Sequence, residues 1–213
     1  MKKLIEIVNK LQSLKSPVCI SIGANDGMFV DELHHHNLIK PHWKCYFVEP
    51  VEETFSKLQE NMNNMFPNNE FVYENSAIHI NEGEGILVTA TEDDSNGMCS
   101  FFRQQTAFSK TFVVNKITFK TFLAKHNLSH VDILKVDCEG MDYEIILQAF
   151  ECGIRPAVVL FEDIDLGITD KKIRGKAEFL KQISQYKEFT LVQDEAKYEF
   201  ERNNLLLIHE DYV

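Results

Sequence analysis

The stretch that decides the fold is Ser21-Ile22-Gly23-Ala24-Asn25-Asp26-Gly27-Met28-Phe29, which continues the apolar run Pro17-Val18-Cys19-Ile20. Apolar, partly β-branched residues from Val18 to Ile22 read as a short buried strand. Two glycines then bracket Ala-Asn-Asp where the strand has to end. Glycine reaches left-handed backbone conformations and lets another group come close to the main chain. At the end of a first strand such a turn faces a ligand if the strand belongs to a doubly wound sheet. Alone, G-x-x-x-G asks only for a tight bend.

Working outward, strands and helices alternate. Leu4, Ile5, Val8, Leu11 and Leu14 form a helical stripe before Pro17, within an N-terminal helical segment over residues 1–16. Strands are predicted over Cys45–Val48, Glu70–Tyr73, Val131–Val136 and Ala157–Phe161, with added or edge strands over Ile86–Ala90 and Phe112–Ile117. Helices are predicted over Val51–Met62, Met141–Phe150 and about Asp170–Tyr186. Phe189–Val192 and Asn204–Ile208 read as a closing hairpin. Nearly all-apolar strands separated by helices predict a doubly wound α/β sheet, mostly parallel with an antiparallel terminal strand and helices on both faces.

The chain has 213 residues, of which 44% are hydrophobic and 26% charged, a size and composition for one domain over 1–213. No linker, repeat or low-complexity segment divides it. Nothing reads as a signal peptide, and no apolar run reaches membrane-spanning length. A soluble, cytoplasmic protein is expected. Five cysteines without C-x-x-C spacing suggest neither a disulfide framework nor a zinc knuckle. A net charge of −11 argues against a nucleic-acid partner. His34, His35 and His36 are consecutive, so on a helix their rings diverge and do not converge on a metal.

Glu49, in Tyr46-Phe47-Val48-Glu49-Pro50, gives the glycine turn its meaning. An acid at the end of the second strand, about twenty residues past the glycines, can accept hydrogen bonds from both ribose hydroxyls of a nucleoside cofactor. Asn25 replaces the middle glycine of the dinucleotide fingerprint, and Asp26 opposes a pyrophosphate. Both features favour S-adenosylmethionine, which carries a sulfonium and no phosphate, over NAD.

The strings VCISIGANDGMF, CYFVEP, ENSAI and VDILKVDCEGMDYEIL resemble segments of the FkbM-type S-adenosylmethionine-dependent methyltransferases, a branch of the Rossmann-like methyltransferases. The resemblance runs from about Val18 to Glu162. It implies that Gly23, Asn25, Asp26 and Gly27 line the methionine and ribose part of the cofactor and that Glu49 holds the ribose. It further implies that Asn75, Ser76 and Ala77 border the adenine and that Asp137 faces the transfer centre. Where the family often has an acid two positions before the first glycine, this chain has Ser21.

Methyl transfer to a hydroxyl needs a base, which contributes about 10²–10⁴-fold. Lys135, Asp137, Glu139 and Glu162 are the candidates, with Asp163 beside them. Lys135 can equally be a strand residue paired with a carboxylate, and Glu139 an acid biased to the start of a helix. Asp137, Glu162 and Asp163 can also gather a divalent ion, although a metal is not favoured. Residues 91–110 are expected to form a substrate-side loop in which Phe101 and Phe102 exclude water and Arg103 contacts a polar group. The expected activity is O-methylation of a sugar, glycan or natural-product hydroxyl. N-methylation and a non-catalytic module that retains the cofactor fold are the alternatives. Oligomeric state is not legible.

Overall fold

The computed structural model describes residues 2–14, 16–27, 39–89, 99–163, 172–193 and 204–213. Helix α1 (Lys2–Leu11) leads into β1 (Val18–Ile22), followed by β2 (Lys44–Val48), α2 (Glu52–Met65) and β3 (Phe71–Glu74). Next come β4 (Ala77–Ile78), β5 (Gly83–Val88), β6 (Thr111–Ile117), α3 (Phe119–Lys125), β7 (Ile133–Val136) and α4 (Asp142–Glu151). The chain closes with β8 (Val158–Glu162), α5 (Lys176–Ile183), β9 (Phe189–Gln193), β10 (Asn204–His209) and a 3₁₀ turn over Glu210–Tyr212.

Seven strands form one sheet in the order β3-β2-β1-β7-β8-β10-β9. Strands β1, β2, β3, β7 and β8 pair in parallel, and β10 runs antiparallel to both β8 and β9. This is the doubly wound, mostly parallel sheet that the apolar strands predict. Alternate side chains go to opposite faces. Ile20, Ile22, Val48, Leu134, Val136 and Phe161 join Phe119, Phe122, Phe150 and Phe179 of α3, α4 and α5 in one core. Cys19, Phe47, Ile133, Val158 and Leu160 meet α1 and α2 in the other.

The N-terminal helix shows what holds a layer on. Leu4, Ile7, Val8 and Leu11 are each 0% exposed, and burying each such side chain is worth about 1.5–3 kcal/mol. The helix ends at Leu11, short of the stripe's last member, and Leu14 is 40% exposed. Two elements escape the sequence reading. Strand β4 is only a dipeptide, and α3 begins where Thr118 caps it by accepting the Thr121 N–H at 3.1 Å. Strand β6 lies between β4 and β5 in a second, three-stranded sheet. The helix expected over about Asp170–Tyr186 is shorter: residues 172–175 are described and not helical, and α5 runs Lys176–Ile183. His34, His35 and His36 and residues 91–98 of the expected loop lie outside the described residues.

The strand order also locates the site. From β1 the chain winds outward through β2 and β3, then returns to the other side of β1 at β7. The carboxyl ends of β1 and β7 therefore border the switch point where ligands sit in such sheets.

Candidate active site

At the switch point the backbone itself sets the geometry. The ladder runs past the strand ends: Gly23 and Ala24 N–H donate to the Val48 carbonyl at 3.0 Å, and Asp137 N–H donates to the Ile22 carbonyl at 3.0 Å. Gly23 has φ +77°, and a Cβ there would lie 1.9 Å from the Asp137 carbonyl oxygen. Only glycine lets the β1 and β7 loops meet. Gly27, also left-handed at φ +73°, packs instead against Leu58 and Met62 of α2.

A cleft of about 590 Å³, including its open mouth, lies over these ends. Gly23, Asn25, Glu49, Ser76, Ala77, Asp137 and Glu139 line it, together with Cys138 and Met141. One end is apolar, walled by Val51, Ala77, Ile78, Leu87 and Phe101. Of the site residues singled out in the sequence, Asp26, Gly27, Asn75, Lys135, Glu162 and Asp163 are not among the lining, nor are Phe102 and Arg103. Asp26 offers its carbonyl to the Asn61 side chain at 2.8 Å, and the Asn75 side chain donates to the Glu49 and Pro50 carbonyls at 3.0 and 3.3 Å. Both brace the loops that do line it.

Glu49 is 6% exposed, and its two oxygens accept the N–H groups of Asn25 at 3.1 Å and Val51 at 2.9 Å. Asn25 holds a left-handed φ of 51° to present that N–H. Burial pushes the Glu49 carboxyl up to about 7 against the pull of both N–H bonds. The acid is fixed in place with acceptor capacity to spare.

Three further acids converge around the loop after β7, of which Asp137 and Glu139 line the cleft and Glu162 does not. Carboxylate oxygens of Asp137, Glu139 and Glu162 all lie within 4.8 Å of one another. Crowded like charges need compensation. The Lys135 ammonium lies 3.6 Å from Asp137, as the shared strand face predicts, and the Arg103 guanidinium lies 3.5 Å from Glu139. Ser21, buried in β1, is in register with Lys135. Asp163 does not join the group: it accepts from the Tyr143 hydroxyl and from Lys176 at 2.5 Å. A divalent ion would therefore find Glu139, in place of Asp163, beside Asp137 and Glu162.

Beside this cluster sits Asp142, which the sequence reading does not single out. It is fully buried and accepts the Cys138 N–H at 3.4 Å and the Gly140 N–H at 3.3 Å, bracing the loop that carries Asp137 and Glu139. Burial, reinforced by the Asp137 charge, pushes its carboxyl up to about 8. Burial and then Asp142 push the Cys138 thiol well above the ordinary value, which disfavours its thiolate.

Residues 99–103 roof the cleft. The Ser100 hydroxyl donates to the Glu139 carbonyl at 2.8 Å, and Ser100 exchanges backbone bonds with Val88. Glu139 is thus held at its carbonyl by Ser100 and at its carboxylate by Arg103, in a left-handed conformation of φ 46° that non-glycine residues seldom adopt. Phe101 packs at 5.0 Å on the His79 ring and fits against Gly85, where a Cβ would lie 2.9 Å from it. Arg103 reaches the acids of the site rather than standing apart on a surface loop.

Residues 21–200 match the profile of the methyltransferase FkbM domain. Among solved structures, an O-methyltransferase from Bacillus cereus in complex with SAH is similar with a TM-score of 0.55 at 11% identity, over 96% of this chain and 78% of that one. The O-methyltransferase TomG from Streptomyces achromogenes, in complex with SAM, gives 0.51 at 10% identity over 97% and 78%. The N-terminal domain of human METTL16 gives 0.51 at 11% identity over 97% and 67%. At these identities the likeness shows the fold alone. No curated protein matches the chain.

Proposed function

This chain belongs to the FkbM methyltransferase family, and from that premise we propose that it transfers the methyl group of S-adenosylmethionine to a hydroxyl of a sugar, glycan or other small natural-product acceptor. The observation that carries the reading is the division of one cleft between an apolar slot, a ribose-competent carboxylate and a carboxylate cluster. The slot of Val51, Ala77, Ile78, Leu87 and Phe101 suits a flat base. Glu49 suits a vicinal diol, and the acids beyond it suit a cation and repel a pyrophosphate. These residues fit the cofactor better than they fit a dinucleotide.

When bound, S-adenosylmethionine supplies a methyl carbon already activated by its sulfonium, so the protein mainly orients the acceptor. Gly23, Asn25 and Glu49 would hold the methionine and ribose portions, with Asp26 and Gly27 supporting the turn. Ser76 and Ala77 would hold the base, with Asn75 behind them, and Asp137 would face the transfer centre. Asp137, Glu139 and Glu162 are the proton acceptors for the hydroxyl, with Lys135 paired to Asp137 at 3.6 Å. Lys135 and Arg103 already supply counter-charge, so the reaction is read as proceeding without a metal.

The test begins with calorimetry of S-adenosylmethionine, S-adenosylhomocysteine and NAD on the native protein and on Glu49→Ala. Tight binding of the two sulfur nucleosides, lost in the variant, supports the cofactor assignment. A panel of hydroxyl and amine acceptors, read by mass spectrometry with Glu139→Gln alongside, decides the rest. Methylated amines formed at native rates in that variant would overturn the oxygen assignment. Binding without turnover on any acceptor would favour a non-catalytic module.

A further inference from the structure

The outward face of the three-stranded sheet belongs to none of the roles above. Strand alternation buries Leu87 and Val114 on the inner face and sends Ile86 and Val113 outward, where they are 57% and 71% exposed. The two are register partners, so a pair of β-branched side chains stands side by side in solvent. Such a pair stabilises its own strands. Phe108 has no account of that kind. It is 71% exposed in the turn that leads into β6, and among the described residues it joins none of the apolar clusters.

The turn that carries the ring is built. Thr106 N–H donates to the Ser109 hydroxyl at 3.3 Å, Ser109 N–H donates to the Thr106 carbonyl at 3.3 Å, and Phe108 N–H donates to the Thr106 hydroxyl oxygen at 3.2 Å. Residues 104–108 are all exposed, so Phe108 sits on a projection.

Charge says what such a projection suits. Residues 99–131 contain no Asp or Glu and five cationic side chains, Arg103, Lys110, Lys116, Lys120 and Lys125, in a chain whose net charge is −11. Lys110, two residues from Phe108, is exposed, as is Lys120 of α3. Glu53 of α2, which feels the Lys110 charge, is already paired with Lys57 at 2.9 Å. Glu84, the acid on the outward face, is in register with Asn115, at the end of the ladder opposite Thr111.

We propose that this face, led by Phe108 and Lys110, docks on the surface of a lipid bilayer with anionic headgroups. An aromatic ring on a projecting turn enters the headgroup boundary without needing a groove, and the neighbouring ammonium meets the anionic groups there. Ile86 and Val113 extend the apolar contact. An acidic protein partner could match the charge, but a projecting tip offers its side chains no pocket to fill. The contact is peripheral: it needs no spanning helix, and among the described residues no helix is long and apolar enough to cross a membrane. One ring and a few exposed cations give weak, reversible and salt-sensitive binding. The inference is independent of the cofactor reading.

The test is flotation of the full chain with phosphatidylcholine vesicles, with and without phosphatidylserine, at low and high salt. The protein should bind the anionic vesicles at low salt, bind neutral ones more weakly and leave both at high salt. Phe108→Ser should weaken binding about tenfold, and Lys110→Glu about five- to twentyfold, each with an unchanged melting temperature. Leu180→Ser, which removes an exposed apolar side chain on α5, should bind as the native protein does. Absence of binding to the anionic vesicles overturns the inference, as does binding that survives both the Phe108 and the Lys110 substitutions. A native dimer in sedimentation velocity that Val113→Ser dissociates, with no vesicle binding, would give the face to a second copy of the chain and overturn it as well.

Discussion

At the ends of β2 and β3, Glu49 and Glu74 are each held by partners that the fold supplies in fixed positions: backbone N–H groups for Glu49, and Lys125, His126 and Ser76 for Glu74. By the ends of β7 and β8, Asp137, Glu139 and Glu162 face one another within 4.8 Å, with Lys135 and Arg103 at 3.6 and 3.5 Å as the ion-pair partners of Asp137 and Glu139. The first arrangement is pre-organised for hydrogen-bond recognition. The second concentrates charge that favours a proton acceptor. Substitution of Glu49 should therefore cost affinity, and substitutions in the acid cluster should cost rate.

Gly23 joins the two ends, and the largest effect is expected there. In Gly23→Ala the new methyl would meet the Asp137 carbonyl at 1.9 Å at a φ of +77°, forcing the β1 and β7 loops apart. Binding of S-adenosylhomocysteine should vanish by calorimetry and the melting temperature should fall. Gly27→Ala is the milder control, because its Cβ would meet only flexible Leu58 and Met62 side chains at 3.0 and 3.1 Å. Native binding by Gly23→Ala would show that the two loops are not rigidly coupled.

Next in size is the split between ends. Glu139→Gln should lower turnover about 10²–10⁴-fold on an acceptor found in the screen, while S-adenosylhomocysteine affinity stays near native. Glu49→Ala should weaken that affinity about ten- to hundredfold, the value of hydrogen bonds to a charged group. If both variants lose affinity alike, the distinction between the ends collapses.

How much of this was legible in the sequence follows from the range of each interaction. The strands were readable because both faces of the sheet are covered, which makes Val18–Ile22 and Val158–Phe161 nearly continuous apolar runs. The glycine turn and Glu49 were readable because their spacing is local to one strand-helix-strand unit. Helix α3 was missed although Thr118 and the i, i+3, i+4 set Phe119, Phe122 and Leu123 signal it, because seven residues give a weak period. Asp142 and Glu74 were missed for another reason. Their significance is burial and partners set by the fold, and an acid at a helix start or a strand end looks solvated in sequence. Arg103 was noticed, but its pairing with Glu139, thirty-six residues away in sequence, has no local signature.

The smallest effect separates the two ends by pH. Burial raises Glu49 to about 7 and Asp142 to about 8, above their ordinary values of 4.5 and 3.8. In each case the folded state binds the proton more tightly than the unfolded chain, so stability falls as pH rises, from 4.5 to about 7 for Glu49 and from 3.8 to about 8 for Asp142. Thermal melts of the empty protein from pH 5 to 9 should show this decline, and Asp142→Asn should flatten its alkaline part. Ligand binding distinguishes the two. Ribose hydroxyls donate to the ionised Glu49, so S-adenosylhomocysteine affinity should rise with pH by up to about tenfold per unit below neutrality and level off above it. Glu49→Gln should remove that dependence, and Asp142→Asn, whose carboxyl faces the Cys138 and Gly140 amides rather than the cleft, should leave it intact. A binding profile that flattens in Asp142→Asn would mean that the loop beside the acids, and not Glu49, carries the proton linkage.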